Sequence, residues 1–203
     1  MEHDKLIDEI VMTEWKAFDQ VKNEGGRASC QDDWNTFSIM RKSQYMEWTD
    51  EMIISYLNDF HSAEEKGWNL ITEKYGRMME STTPAHYAAI KDSFPPVSEK
   101  QRAIIEEIVK IQLGFMEELA EKYPKVASTA RSIHTEEDTP YNTSYETYLR
   151  GELMTYSDET LSLYGAFIVG IVKNGENLAM KIMRNTAKLY GYQSLDELEG
   201  RLE

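Results

Sequence analysis

An all-α fold is predicted by three observations. Apolar residues recur every three to four positions along most of the chain. Hydroxyl or amide capping residues stand where those runs begin, and no stretch alternates apolar and polar residues as a half-buried strand does.

Ile7, Val11, Trp15 and Phe18, with Glu9, Lys16 and Asp19 among them, predict an amphipathic helix over residues 4–22. Gly25 and Gly26 are placed to end it with positive backbone angles, and the aperiodic polar segment through Asp33 is a loop. A helix resumes near Trp34 and runs to Trp48. Thr49 before Asp50 and Glu51 is a hydroxyl cap followed by acids on the positive end of the next helix. Met52, Tyr56, Phe60 and Ala63 mark the apolar face as far as Gly67, and Leu70, Ile71, Tyr75, Met78 and Met79 carry a further helix. Thr83 before Pro84 opens a short helical element that Pro95 and Pro96 close, and SFPPVS is the clearest linker. Ser98 with Gln101 has capping-box spacing, and Ile104, Ile108, Ile111, Phe115 and Leu119 form one face of a helix that stops at Pro124. Residues 125–142 are polar and aperiodic, a long ordered surface loop. Helices resume near Ser144. Ser157 repeats the hydroxyl-plus-acids start ahead of Leu161, Tyr164, Ile168 and Val172, and Ser194 with Glu197 is one more capping box. Eight to ten helices are expected.

The chain has 203 residues, enough for one domain around one core. Lys and Arg total 22 against 36 Asp and Glu, a formal charge of −14 that repels a polyanion and excludes nucleic acid as a partner. No uninterrupted apolar run approaches the roughly 18 residues needed to cross a bilayer, and no basic amphipathic helix suggests a membrane surface. The lone Cys30 rules out an internal disulfide, and the charged start MEHDKLIDEIV is unlike a signal peptide, so a cytoplasmic location is expected.

Comparison of the chain with itself predicts an internal duplication. LIDEIV at Leu6–Val11 matches IIEEIV at Ile104–Val109. The segment from Trp48 aligns without a gap on that from Tyr156, so that Tyr56 falls on Tyr164, Gly67 on Gly175 and KGWNL on NGENL. One helical domain, 1–203, is therefore expected, built from two pseudo-symmetric halves, 1–96 and 97–203. The loop GGRASCQDD then corresponds to ARSIHTEEDTPYN, and the two polar loops can face each other across a pocket between the halves.

The strings NEGGRASCQDDWNTFSIMRKSQ, NLITEKYGRMME, EDTPYNTSYETYLRGELMTYS and YGYQSL resemble a bacterial family, the domain of unknown function 4125, over nearly the whole chain. The resemblance implies no established activity. It does imply that related domains sometimes stand joined to a nucleotidyltransferase-like domain, which this chain lacks.

Candidate chemistry concentrates in the two loops. Cys30 lies near Arg27, whose charge favours a thiolate, and near Asp32 and Asp33, which oppose it; His134, in the matching loop, is the base such a nucleophile would need. The competing reading is a small buried cysteine in a folded loop. His134, Glu136, Glu137 and Asp138 offer nitrogen and oxygen ligands, with Asp32 and Asp33 across the pocket, but no recognised metal spacing is present. A solvated acidic loop is the favoured reading and no metal site is assigned. Arg27, Arg41 and Arg150 can read a carboxylate or phosphate in two bonds, with Asp33 and Asp138 orienting polar groups, Asp32 and Glu152 in the same binding set, and Tyr141, Tyr145 and Tyr148 with Trp34 and Phe37 as flat walls. The competing reading pairs these arginines with Asp32, Asp33, Glu146 and Glu152 to tie loops to helices. Dinucleotide, P-loop and serine-hydrolase motifs are missing, so those three readings have no support and the cofactor is unknown from sequence.

Two functions are expected from these residues. The first is a protein that binds a small anionic or aromatic metabolite between the halves, with or without catalysis by His134. The second is an interaction module, either a homodimer or the partner of a nucleotidyltransferase-like protein, anchored by Trp34, Trp48 and Trp68.

Overall fold

The computed structural model describes residues 2–22 and 26–202, so Gly25 lies outside the described residues. The described chain is all-helical, with eleven α-helices rather than eight to ten. They are α1 (Glu2–Asp19), α2 (Trp34–Tyr45), α3 (Asp50–Glu65), α4 (Leu70–Thr82), α5 (Pro84–Ile90), α6 (Glu99–Lys122), α7 (Pro124–Ser128), α8 (Tyr145–Leu153), α9 (Asp158–Lys173), α10 (Leu178–Leu189) and α11 (Leu195–Arg201). Short 3-10 turns at Ser29–Asp32 and Thr135–Glu137 interrupt the two polar loops, and a third follows α5. No helix of the described residues is long and apolar enough to cross a membrane.

The caps explain where helices start. The side chains of Asp33, Thr49, Asn69, Ser98, Ser144, Ser157, Asn177 and Ser194 each accept a backbone N–H of the first turn they precede. Asn69 and Asn177 also donate from Nδ2 to the carbonyls of Ala17 and Phe115, which lashes α4 to α1 and α10 to α6. Gly67 and Gly175 precede these caps at φ +66° and +65°, where a β-carbon would be strained. At Thr83 the expected cap is missing: Pro84 fills the first helical position, but the Thr83 hydroxyl caps nothing and is buried without a partner among the described residues. At Ser194 the reciprocal bond shifts by one residue, Glu197 accepting from the Gln193 N–H. Two boundaries also differ. The first helix ends at Asp19 rather than 22, and the second at Tyr45, with a turn carrying the chain to Trp48.

α3 and α9 lie together at the centre, with α1 packed on α3 and α6 on α9. Two further contacts cross over: α2 packs on α10, and α8 packs on α4. Where α3 meets α9, Trp48 and Tyr164 have ring centroids 5.4 Å apart, Tyr56 and Tyr156 4.8 Å, and Ser55 shares a 2.7 Å hydrogen bond with Thr160. Trp48 is thus a core residue and not an interface anchor. Ile10, Ile53, Ile105, Leu153, Leu161 and Ile168 complete the interior, and a smaller apolar cluster around Leu119, Tyr123 and Leu195 seats α7 and α11 on α6.

The crossing of α8 on α4 is the closest approach that shapes the site. A β-carbon at Gly151 would stand 2.9 Å from Met78 Cγ and 3.1 Å from the Lys74 carbonyl. One at Gly114, inside α6, would meet nothing within 4 Å. Gly151→Ala should therefore destabilise the protein by about 1–3 kcal/mol through overpacking. Gly114→Ala should stabilise it by about 0.5–1 kcal/mol by removing chain entropy in an open helix. Denaturant melts of the two variants check the opposite signs.

Candidate functional site

Four charged side chains meet inside the helix bundle. Glu14 of α1 and Arg41 of α2 form a two-pronged pair, with Nε–Oε2 and Nη2–Oε1 both at 2.6 Å. Glu152 of α8 takes Lys74 Nζ of α4 at 2.5 Å and Arg41 Nη2 at 3.3 Å. Glu14, Arg41, Lys74 and Glu152 are all buried. The Tyr45 hydroxyl accepts from Arg41 at 2.7 Å, and the Tyr156 hydroxyl donates to Glu152 at 3.2 Å. Burial alone would raise the Glu152 carboxyl, but Arg41 and Lys74 outweigh it and hold it well below the usual carboxylate range. Burial acts to lower the Arg41 pKa, and the Glu14 and Glu152 charges outweigh it and raise it well above its ordinary value. A paired, neutral network of this kind is stable only because each ion has a partner.

Towards the surface, Tyr148 covers Lys74, whose ammonium sits 3.6 Å from the ring centroid, and Arg131 lies 4.9 Å from the same ring. Cys30, Arg131 and Tyr148 are all within electrostatic reach of the half-buried Tyr75, whose hydroxyl is raised chiefly by burial. The two polar loops therefore approach the same stretch of α4.

A cleft of about 360 Å³ opens between α4 and α8. Arg77, Glu80 and Ser81 line it from α4, Thr147, Arg150, Gly151 and Met154 from α8, and Thr135 from the second loop. Arg77 is buried and bonded to Glu73 at 2.6 Å and to the Pro95 carbonyl at 2.7 Å; Trp68 holds the other oxygen of Glu73. Arg150 donates to Glu106 at 2.8 Å and to Glu146 at 2.7 Å, and these bonds raise its pKa. Asp138 braces the wall. It accepts from the Ser144 N–H and the Thr147 hydroxyl, and these bonds together with Ser81 outweigh its burial and lower its pKa.

Of the residues singled out from sequence, Arg150 alone lines this cleft, with Asp138 behind it. Arg41 and Glu152 lie together in the buried network. Tyr148 covers that network, whereas Tyr141 is fully exposed. Arg27 is tied to Asp32 at 2.8 Å, Asp19 at 2.6 Å and the Gln31 carbonyl, and the Asp32 bond is the main reason its pKa is raised. Asp33 caps α2, and the Thr36 N–H lowers its pKa. Cys30 is exposed rather than buried. His134 Nε2 faces Glu117 at 3.2 Å, and no hydrogen bond joins it to Cys30 among the described residues. The potential ligand atoms of His134, Glu136 and Glu146 gather within 4.8 Å of one another, a group that omits Glu137 and Asp138.

Sequence reasoning missed Glu14, Lys74 and Arg77. Each of these carried a signal. Glu14 stands three residues after Val11 and four before Phe18, and Lys74 four after Leu70 and four before Met78, which puts both on the apolar faces of their helices. Arg77 follows Glu73 by one helical turn, a pair with ion-pair spacing. Glu146, expected from sequence as an arginine partner, does pair with Arg150 one helical turn on, at 2.7 Å, while its bond from the Thr135 N–H comes from a loop without period.

A profile of the family described as "Protein of unknown function (DUF4125)" matches residues 4–200. The chain belongs to the DUF4125 family. The match spans both polar loops and all four buried ions, so the family's matched region includes the network and the cleft. No curated protein and no solved structure matches the chain.

The network dictates the response of stability to pH. Glu152 is lowered on folding, so its contribution is complete above its ordinary value of 4.5 and is withdrawn as pH falls towards the folded value. Burial pushes Tyr45, Tyr56 and Tyr156 well above the ordinary 10.0, so theirs is complete below 10.0 and is lost as pH rises further. Melting temperature should therefore hold a plateau between about pH 5 and pH 10 and fall on both sides. Arg41→Met, which strands Glu14, should cost about 3–5 kcal/mol at neutral pH, measured by denaturant unfolding.

Proposed function

We propose that this protein binds a small anionic metabolite in the cleft between α4 and α8, which lies between two related halves of the chain, 1–96 and 97–203. The observation that carries the reading is the lining: two guanidinium groups, Arg77 and Arg150, and the hydroxyls of Ser81, Thr135 and Thr147 converge on one concave space. That donor set suits an oxyanion better than a flat apolar ring, so the anionic alternative is preferred over the aromatic one. Binding does not require catalysis.

The two-half reading is supported by matched features. The helix order of α1 to α5 recurs from α6 onward with a short helix, α7, inserted, and the 16-residue helices α3 and α9 follow Thr49 and Ser157 caps. The Asn69 bond to Ala17 has its counterpart in the Asn177 bond to Phe115. The crossing of α2 onto α10 has its counterpart in α8 onto α4. A cleft walled by α4 and α8 then takes one wall from each half, the placement common for ligand sites between packed helices.

A second reading, an interaction module acting as a homodimer or docking a partner, draws on one observation. Trp34 remains 39% exposed while stacked on Phe37 and set edge-on against Trp15. Mass measurement by light scattering separates the two: a concentration-independent monomer disfavours the dimer form.

Isothermal titration with pyrophosphate tests the first reading. Arg150→Ala should weaken binding about tenfold or more by removing a charge-assisted pair of hydrogen bonds. Ser81→Phe, which fills the cleft and leaves both arginines in place, should abolish it. Equal affinity in a folded Ser81→Phe protein would place the anion elsewhere.

A further inference from the structure

We propose that His134, Glu136 and Glu146 form a divalent-cation site at the rim of the α4–α8 cleft, and that the anion taken there is a phosphoryl group bridged between the cation and Arg150. The proposal rests on the cleft reading above for its anion but not for its cation.

The geometry comes first. Cations of the Mn²⁺ to Zn²⁺ type hold nitrogen and oxygen ligands at about 2.0–2.2 Å, so their ligand atoms stand roughly 3–4 Å apart. The imidazole and the two carboxylates already gather within 4.8 Å, so small side-chain rotations close the set. One imidazole with two carboxylates favours this class over the all-oxygen cages of Ca²⁺ and Mg²⁺. His134 Nε2 lies 3.2 Å from Glu117 Oε1, which leaves Nδ1 as the ligating nitrogen and supplies the outer carboxylate that orients metal-bound histidines. Glu146 is held from behind as well. Its Oε2 accepts the Thr135 N–H at 2.9 Å and its Oε1 accepts from Arg150 at 2.7 Å.

Thr135 and Arg150, the two residues that hold Glu146, are themselves part of the cleft wall, so an ion bound by Glu146 sits where the cleft opens. The cleft also has an electrostatic deficit. Its two arginines, Arg77 and Arg150, are already engaged by Glu73, Glu106 and Glu146, and Glu80 adds another acid to the lining. A multiply charged phosphoryl group entering alone meets more carboxylates than guanidiniums. A divalent cation on Glu146 reverses that balance, draws the carboxylate charge away from Arg150 and frees a guanidinium N–H for the incoming oxygen.

The test is Mn²⁺ titration of the full chain, read by the loss of the free-ion electron paramagnetic resonance signal, with and without pyrophosphate. One Mn²⁺ per chain is expected, with binding weakened at least tenfold by His134→Ala and by Glu136→Gln. Glu137→Gln, whose carboxylate bonds the His134 N–H outside the trio, should bind as the parent does. Melting temperatures of all three should stay close to the parent's, since these side chains are at or near the surface. Mn²⁺ should also tighten pyrophosphate binding at least tenfold in the parent and not in His134→Ala. Absence of one-to-one Mn²⁺ binding, or binding that His134→Ala and Glu136→Gln leave unchanged, overturns the cation site. Pyrophosphate binding that is Ser81→Phe-sensitive but indifferent to Mn²⁺ overturns the bridge and leaves the cleft reading standing. Mn²⁺ binding with the expected variant pattern but no pyrophosphate binding overturns the cleft reading and the phosphoryl ligand, and supports the cation site alone.

Discussion

The Glu14–Arg41–Glu152–Lys74 network is the constraint on which the rest of this structure depends. Its members come from α1, α2, α8 and α4, so four helices distant in sequence must reach one register before any of the four charges is satisfied. An apolar core tolerates small slips of one helix on another, because any methyl group can replace any other as a neighbour. A buried two-pronged ion pair does not, since a displaced guanidinium leaves a carboxylate stranded away from water. The network thereby sets how α8 lies across α4, and the absence of a side chain at Gly151 permits that crossing at short range. The cleft is a by-product of the same crossing, walled by the turns of α4 and α8 that follow and flank the ion pair.

Much of the architecture was legible in the sequence, and the reasons are local. Helix starts at Thr49, Ser98, Ser144 and Ser157 were readable because a capping side chain closes its bond within three residues. The apolar stripes named the core for the same reason. Helix α7 escaped because a five-residue helix after Pro124 leaves no stripe, only the proline itself. Trp48 was misjudged because its position in a turn hides its direction: its burial comes from Tyr156 and Tyr164, more than a hundred residues away.

The site divides along the same line. Arg150 was found as an arginine beside a polar segment, and it does line the cleft. Arg41 looked equivalent in sequence, yet its neighbours at helical spacing, Phe37 and Tyr45, turn it into the core. Arg27 is absorbed by its own loop, where Asp19 and Asp32 hold it. The gathering of His134, Glu136 and Glu146 depends on how a loop of 131–144 folds back on α8, through the Tyr145 and Glu146 amides bonding the Ser132 and Ile133 carbonyls. No periodicity encodes such a return, so the trio had to be seen in three dimensions.

On the function proposed above, the space between α4 and α8 holds a small anion. Native mass spectrometry of the purified chain, set beside a denaturing spectrum of the same sample, tests it most directly. The native chain is expected to carry added mass matching an anionic compound, or to gain that mass when pyrophosphate is supplied, and denaturation is expected to remove it. A native chain at bare polypeptide mass that gains nothing from pyrophosphate would contradict it.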